Sequence, residues 1–348
     1  MNTAEFVSPM HPDKICDRIS SSILDECLKQ DPHSRVAVET LGGHKKIIVM
    51  GEVTTTAEVD FKKIVQDEIN DSSYEIIINI DKQSLSIAQG VNSGGAGDQG
   101  IMIGYACKDT ENFMPIEYQL ARELCQWIYQ SYPNDGKVQF TTADTKVKTI
   151  IVSWCGVSRD DLEKIVNDWF YKMHKISRTI EKTDDYKLII NSSGDWNVGG
   201  FDADTGLTGR KIVIDAYGPN VSVGGGAFSG KDPTKVDLSG ALMARKIAVE
   251  LLNAFSKLYS VTVKVAYAIG KKEPIMLVAD VVYTEPVADN TRTHFDILKG
   301  QIRDLKELNT MIKRFYPENI IKELDLLKPQ YKELSKWGHF GNNNLWDE

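Results

Sequence analysis

No run of apolar residues in this chain approaches the roughly 20 that carry a helix across a bilayer, and the start MNTAEFVSPMHPDK holds no signal-peptide core. Cysteine is sparse: Cys16, Cys27, Cys107, Cys125 and Cys155 are odd in number and show no CxxC spacing. That excludes a disulfide framework and disfavours zinc; reduced thiols in a cytoplasm are expected. Positive charge is also short, with 41 Lys and Arg against 49 Asp and Glu, a net charge of −8. A general nucleic-acid binder, which needs a basic face, is therefore not expected. Low-complexity tracts are missing too. Apolar and charged fractions of 42% and 26% are ordinary for a globular protein, and 348 residues suffice for two or three domains.

Against that acidic background, cations gather on glycine-rich loops. GLTGRK (206–211) places Arg210 and Lys211 after two glycines, and GGGAFSGKDPTKVD (224–237) places Lys231 and Lys235 after four. Glycine lets a backbone approach a ligand closely. Asp232-Pro233 reads as a helix start, with Asp as cap and Pro at the first position. Lys231 and Lys235 would crowd the positive end of that helix, and a bound polyanion would relieve the conflict. A polyphosphate is the expected ligand. Gly225–Lys231 fits the GxxxxGK of a P-loop, but Asp232 stands where a magnesium-holding Ser or Thr belongs, so that reading is weak.

Periodicity repeats three times. The first round has a helix after His11-Pro12 carrying Ile15, Ile19, Ile23, Leu24 and Leu28, strands over Arg35–Thr40 and Lys46–Val53, a helix over Val59–Ile69 and a strand over Tyr74–Ile80. The second has a strand over Gly100–Cys107, a helix from Pro115 to Tyr132, a hairpin of Lys137–Thr142 and Val147–Trp154, a helix over Asp160–His174 with Ser158 as cap, and a strand over Tyr186–Asn191. The third has a strand over Lys211–Tyr217, a helix from Pro233 to about Leu258 burying Ala244, Ile247, Ala248, Leu251 and Phe255, strands over Val261–Ile269 and Ile275–Tyr283, and a helix near Phe295–Leu308. The spacing predicts an α+β protein of three similar units, helices on one face of mainly antiparallel sheets, with domains over 1–92, 93–198 and 199–348. The other sheet faces then need covering by another unit or another chain. The tail 337–348 is expected to loop over the surface. Candidate polar sites are His11, Asp13 and Lys14 at a helix start, Glu39 and Glu52 on paired strands, Asp98 within GAGDQG (95–100), and Asp144 and Lys146 at a hairpin tip. Carboxylates with cations on glycine-rich loops fit a magnesium–polyphosphate site.

HPDK (11–14), GEVTTTA (51–57), GAGDQG, GLTGRK, GGGAFSGKDPTKVD and GHFG (338–341), in this order and spanning nearly the whole chain, resemble the signatures of the S-adenosylmethionine synthetase (methionine adenosyltransferase) family. The resemblance implies three α+β domains in pseudo-threefold arrangement. It implies joining of ATP and L-methionine into S-adenosylmethionine, then hydrolysis of triphosphate to diphosphate and phosphate, within one-carbon metabolism. Two magnesium ions per active site, potassium, and a homodimer as smallest active unit, with a homotetramer as the larger alternative, are implied as well, the active sites lying between subunits. Position by position, His11 would contact ATP where the C5′–O bond breaks. Asp13 and Asp237 would hold magnesium, and Glu39 potassium. Glu52, Gln89, Asp204 and Lys235 would bind methionine, Asp204 metal as well, and Asp98 would help hold the adenosine or the methionine. Asp144, Thr145, Lys146, Asp195, Trp196, Asp204 and Ala227 would line the nucleotide. Arg210, Lys211, Lys231 and Lys235 would clamp the triphosphate, with Lys146 beside them. Three departures stand out. Only Val91–Gly94 remains where many members carry a longer mobile lid. Asp195-Trp196 replaces an Arg-Phe pair, so that Trp196 would stack on adenine. Ser8-Pro9-Met10 replaces an acidic, glycine-containing lead into HPDK.

Overall fold

The computed structural model describes residues 1–83, 94–143, 146–176, 186–287, 290–297 and 305–348. The first long helix, α1 (Pro12–Gln30), begins as its sequence dictates: His11 is the cap, its Nδ1 accepting the Asp13 N–H at 3.2 Å, and Pro12 stands at the first position. Ile15, Ile19, Ile23, Leu24 and Leu28 are all buried, and Asp31 ends the helix by donating its N–H to Cys27 O.

Around α1 lie β1 (Asn2–Val7), β2 (Arg35–Gly43), β3 (Lys46–Thr54), α2 (Phe61–Ile69) and β4 (Glu75–Asp81). The middle of the chain supplies β5 (Gly100–Cys107), α3 (Ile116–Ser131), β6 (Gly136–Ala143), β7 (Lys146–Trp154), α4 (Arg159–Ile176) and β8 (Lys187–Ile190). The remainder supplies β9 (Gly206–Leu207), a one-turn helix α5 (Ile212–Asp215), α6 (Val236–Ala254), β10 (Leu258–Tyr267), β11 (Met276–Val287), β12 (Asn290–Asp296), α7 (Leu305–Arg314), α8 (Pro317–Glu323) and α9 (Tyr331–Trp337). Ser158 caps α4 as expected, accepting from Asp161 N–H.

Three four-stranded sheets result, ordered β9-β2-β3-β4, β1-β6-β7-β8 and β5-β10-β11-β12. Among their pairings only β3–β4 and β7–β8 are parallel. The fold class is α+β, with α1, α3 and α6 each packed on the first two strands of one sheet. In every sheet the first strand comes from a distant part of the chain, so the three units are stitched together by exchanged edges. Gly104 of β5 lets α6 approach so closely that an added Cβ would overlap the Ala244 backbone.

Several expectations are corrected. Lys211–Tyr217 is not a strand: Ile212–Asp215 forms a helical turn, its last residue held by buried Lys14. The third long helix starts at Val236, not Pro233, and Asp232 does not cap it. Asp232 is drawn instead to β2, accepting the Val36 N–H at 2.8 Å. Phe255 is 57% exposed just past the helix end. Phe295 lies in β12, and the helix near it begins at Leu305. The tail is not superficial. Phe340 and Trp346 are buried, Arg122 donates to Phe340 O and Gly341 O, and Arg245 pairs with Asp347.

Candidate functional site

β2 divides the site. Val36, Val38 and Thr40 point toward α1, where Ser20 meets the Thr40 hydroxyl at 2.9 Å. Strand alternation then turns Ala37, Glu39 and Leu41 to the opposite face. Two loops add to the same edge of β2: Gly206–Leu207 opposite Leu41–Gly42, and Lys231 opposite Ala37.

On the α1 side, the helix start gathers the first group. Asp13 accepts the Leu207 N–H at 2.9 Å and Lys211 Nζ at 2.5 Å, and forms an ion pair with Arg210 Nε at 3.0 Å. HPDK and GLTGRK thus converge on one carboxylate, 194 to 198 positions apart in sequence. Burial pushes the His11 imidazole down to about 4, Lys211 and Lys137 act in the same direction, and Asp13 and Asp204 oppose them. The ring is therefore neutral near pH 7. Because Nδ1 accepts from Asp13 N–H, the ring hydrogen sits on Nε2, free to donate.

The second group occupies the other face. Register sets Glu52 opposite Ala37, and Lys231 flanks Ala37 on its far side, so Glu52, Ala37 and Lys231 form one row. Glu39 is two residues along. Packing around Glu39 raises its carboxyl, Lys231 counters that, and Glu52 adds to it. Lys231 Nζ donates to Asp237 Oδ2 at 2.5 Å, in the first turn of α6. GAGDQG joins this group: Gly97 N–H donates to Thr234 O, and Gly100 lies against Asp237. Asp98 accepts from the adjacent Gln99 N–H. The expected conflict between lysines and a helix start is relieved internally, because Lys231 pairs with Asp237 and Lys235 with Asp232. The Lys235–Asp232 pair is buried; Asp232 also accepts from Thr234.

Among the described residues no hydrogen bond or ion pair joins the Asp13 group to the Asp237 group. Ala227 touches Gly209 between them. Asp204 acts on His11, and Lys146 opens β7. Asp195 accepts from Asn191 Nδ2, and Trp196 is half-buried with its carbonyl held by Gly156 N–H. Gln89, Asp144, Thr145 and 91–93 lie outside the described residues. No three His, Cys, Asp or Glu side chains converge on a metal position among the described residues. Magnesium, however, takes one or two carboxylates and completes its shell from phosphate and water. Asp13 and Asp237, each a single carboxylate beside cations, fit such a metal, and Glu39 supplies the kind of hard oxygen that potassium accepts.

Sequence reasoning named Lys14 but missed Asp17 and Asp215, with which it forms the support beneath the first group. Lys14 is fully buried between Asp17 and Asp215. Burial raises both carboxyls, and Lys14 opposes that rise. Beside them, His339 N–H donates to Asp215 O at 2.9 Å, its ring meets Phe228 edge-on at 5.0 Å, and its Nδ1 lacks a partner among the described residues. The i,i+3 spacing of Lys14 and Asp17 was the available signal.

Burial pushes His339 down to about 3, Lys14 contributing in the same direction and Asp17 against it; Asp215 lies 4.0 Å away. The unfolded chain protonates this imidazole near pH 6.5, whereas the folded chain does not until far lower. Stability is thus whole above pH 6.5 and declines as pH falls from there toward 3. His339→Gln should remove about 2 kcal/mol of the stability change between pH 7 and pH 5. Urea unfolding at both pH values checks it; identical slopes in the two proteins would contradict the assignment.

The whole chain matches known proteins. Residues 1–94 match the family description "S-adenosylmethionine synthetase, N-terminal domain", 93–196 the central domain and 198–348 the C-terminal domain. An S-adenosylmethionine synthase of Mesoplasma florum is 37% identical, the match covering 99% of this chain and 96% of that protein. One from Nitratiruptor is 38% identical, covering 97% and 92%. A solved structure of an unusual S-adenosylmethionine synthetase from Campylobacter jejuni superposes with TM-score 0.85 at 27% identity, covering 100% of this chain and 96% of that one.

Proposed function

The chain belongs to the S-adenosylmethionine synthetase family and is an enzyme of the methionine adenosyltransferase type, with ATP and methionine as substrates; from that premise we propose how its residues carry the reaction. The methionine sulfur displaces triphosphate at C5′ of ATP, and the triphosphate is then hydrolysed to diphosphate and phosphate. A thioether sulfur has no proton to lose, so no general base is required. The barrier lies in the departure of a highly charged group, and fixed cations that meet that charge as it develops lower it.

Arg210, Lys211 and Lys231 take the phosphate tail. Neutral His11 donates from Nε2 to the oxygen leaving C5′. Glu52, Asp98, Asp204 and Lys235 hold methionine, and Trp196 stacks on adenine. Asp13 and Asp237 would hold magnesium and Glu39 potassium; bound there, the metals supply further positive charge to the phosphates. The two groups lie on opposite faces of one sheet, and Leu41, Met50 and Ile77 are exposed on the second face. A second copy covering that face would bring the α1-side group of one chain to the open-face group of the other, making a homodimer the smallest active unit.

The observation that carries this reading is the convergence of two distant loops on Asp13. Incubation with ATP, methionine and a magnesium salt should yield S-adenosylmethionine, diphosphate and phosphate. ADP as the phosphorus product, or no product at saturating substrate, would overturn it.

A further inference from the structure

Two buried anchors bracket the pair Arg210-Lys211. Just before it, the Gly209 N–H donates to Asp17 Oδ1 at 2.8 Å. Just after it, Asp215 closes α5 and accepts Lys14 Nζ at 2.5 Å. The same ammonium donates to Asp17 Oδ2 at 3.1 Å. Lys14 and Asp17 are wholly buried, and Asp215 is 1% exposed. Asp13 and Asp17 stand four residues apart on α1, on one side of the helix. One helical turn therefore carries both the carboxylate that meets Arg210 and Lys211 and the carboxylate that holds the backbone in front of them.

The cluster is not what stability alone would select. Two carboxylates share one ammonium in a dry interior, and a buried ion set contributes little that apolar packing could not. What it does supply is direction: each Asp17 oxygen has a different, fixed partner.

We propose that Asp17 is a positioning residue for the transfer reaction, its Lys14-held carboxylate pinning the 206–211 loop so that Arg210 and Lys211 are delivered to the N-terminus of α1. The inference rests on the function proposed above, in which those two cations meet the phosphate tail.

Asp17→Asn isolates the effect. It leaves Lys14 and Asp215 as a balanced pair, so no buried charge is left without a counter-charge. The amide cannot serve both partners, since an oxygen turned to Gly209 N–H turns the NH2 group toward the Lys14 ammonium, and the reverse leaves Gly209 facing a donor. S-adenosylmethionine formation is measured for wild type, Asp17→Asn, the Arg210→Ala/Lys211→Ala double variant and the triple variant. The expected result is a kcat about tenfold lower for Asp17→Asn with the KM for methionine unchanged. The triple variant should be no slower than the double, because Asp17 acts through those two cations. A kcat within about twofold of wild type, or effects that multiply in full, would overturn the proposal. If Asp17→Asn does not fold, Asp17→Glu, which keeps the charge and displaces it by one methylene, should show the same loss and the same non-additivity. Absence of product from wild type would instead defeat the functional reading, so the two failures are distinguishable.

Discussion

Lys231→Ala and Lys211→Ala should each slow turnover roughly ten- to a hundredfold, the loss of one charge-assisted contact of about 1.5–3 kcal/mol in the transition state. Both ammonium groups are partly exposed, at 17% and 16% of their side-chain surface, so neither removal leaves a cavity in the core. Each removal takes a partner from a buried carboxylate, so the unfolding midpoint should fall, less for Lys211→Ala than for full loss of the pair because Arg210 still meets Asp13. Each lysine neutralises one carboxylate, Asp237 or Asp13, and a freed carboxylate would repel the phosphates that the lysine attracted. The effect should thus appear in kcat as well as in the KM for ATP. Near-normal turnover in either variant would remove that lysine from the clamp.

Gly226→Ala should cost at least about tenfold in kcat with little loss of stability. The backbone at Gly226 does not occupy the left-handed region, so alanine is tolerated conformationally. Its Cβ, however, would overlap the Asp237 carboxyl group. Asp237 must swing aside, and the Lys231 ammonium loses its fixed partner. Steady-state kinetics beside a thermal melt separates the two effects. A melt lowered by many degrees would mean that the loop, not Asp237, had yielded.

Much of this architecture was written locally. Pro12 after His11 announced α1, and the alternation in Arg35–Thr40 and Lys46–Val53 announced the hairpin that divides the site. Ile212, Val213 and Ile214 form a β-branched run that favours a strand, but the Lys14–Asp215 tie overrides that preference and winds the segment into a turn. Asp232 has the look of a cap, and β2 claims it from 196 residues away. The exchanged strands β1, β5 and β9 are set by pairings that no local pattern encodes. The candidate residues were nameable from the loops, but their division between two faces was not. That division follows from the parity of β2, from which Lys231, opposite Ala37, takes its side.

If each active site combines the α1-side group of one chain with the open-face group of another, co-expressing differently tagged Lys211→Ala and Lys231→Ala chains decides the matter. A mixed dimer then holds one doubly altered site and one native site. Random pairing should restore roughly a quarter of wild-type S-adenosylmethionine formation, far above either variant alone. Activity no greater than the mean of the two variants would contradict a shared site.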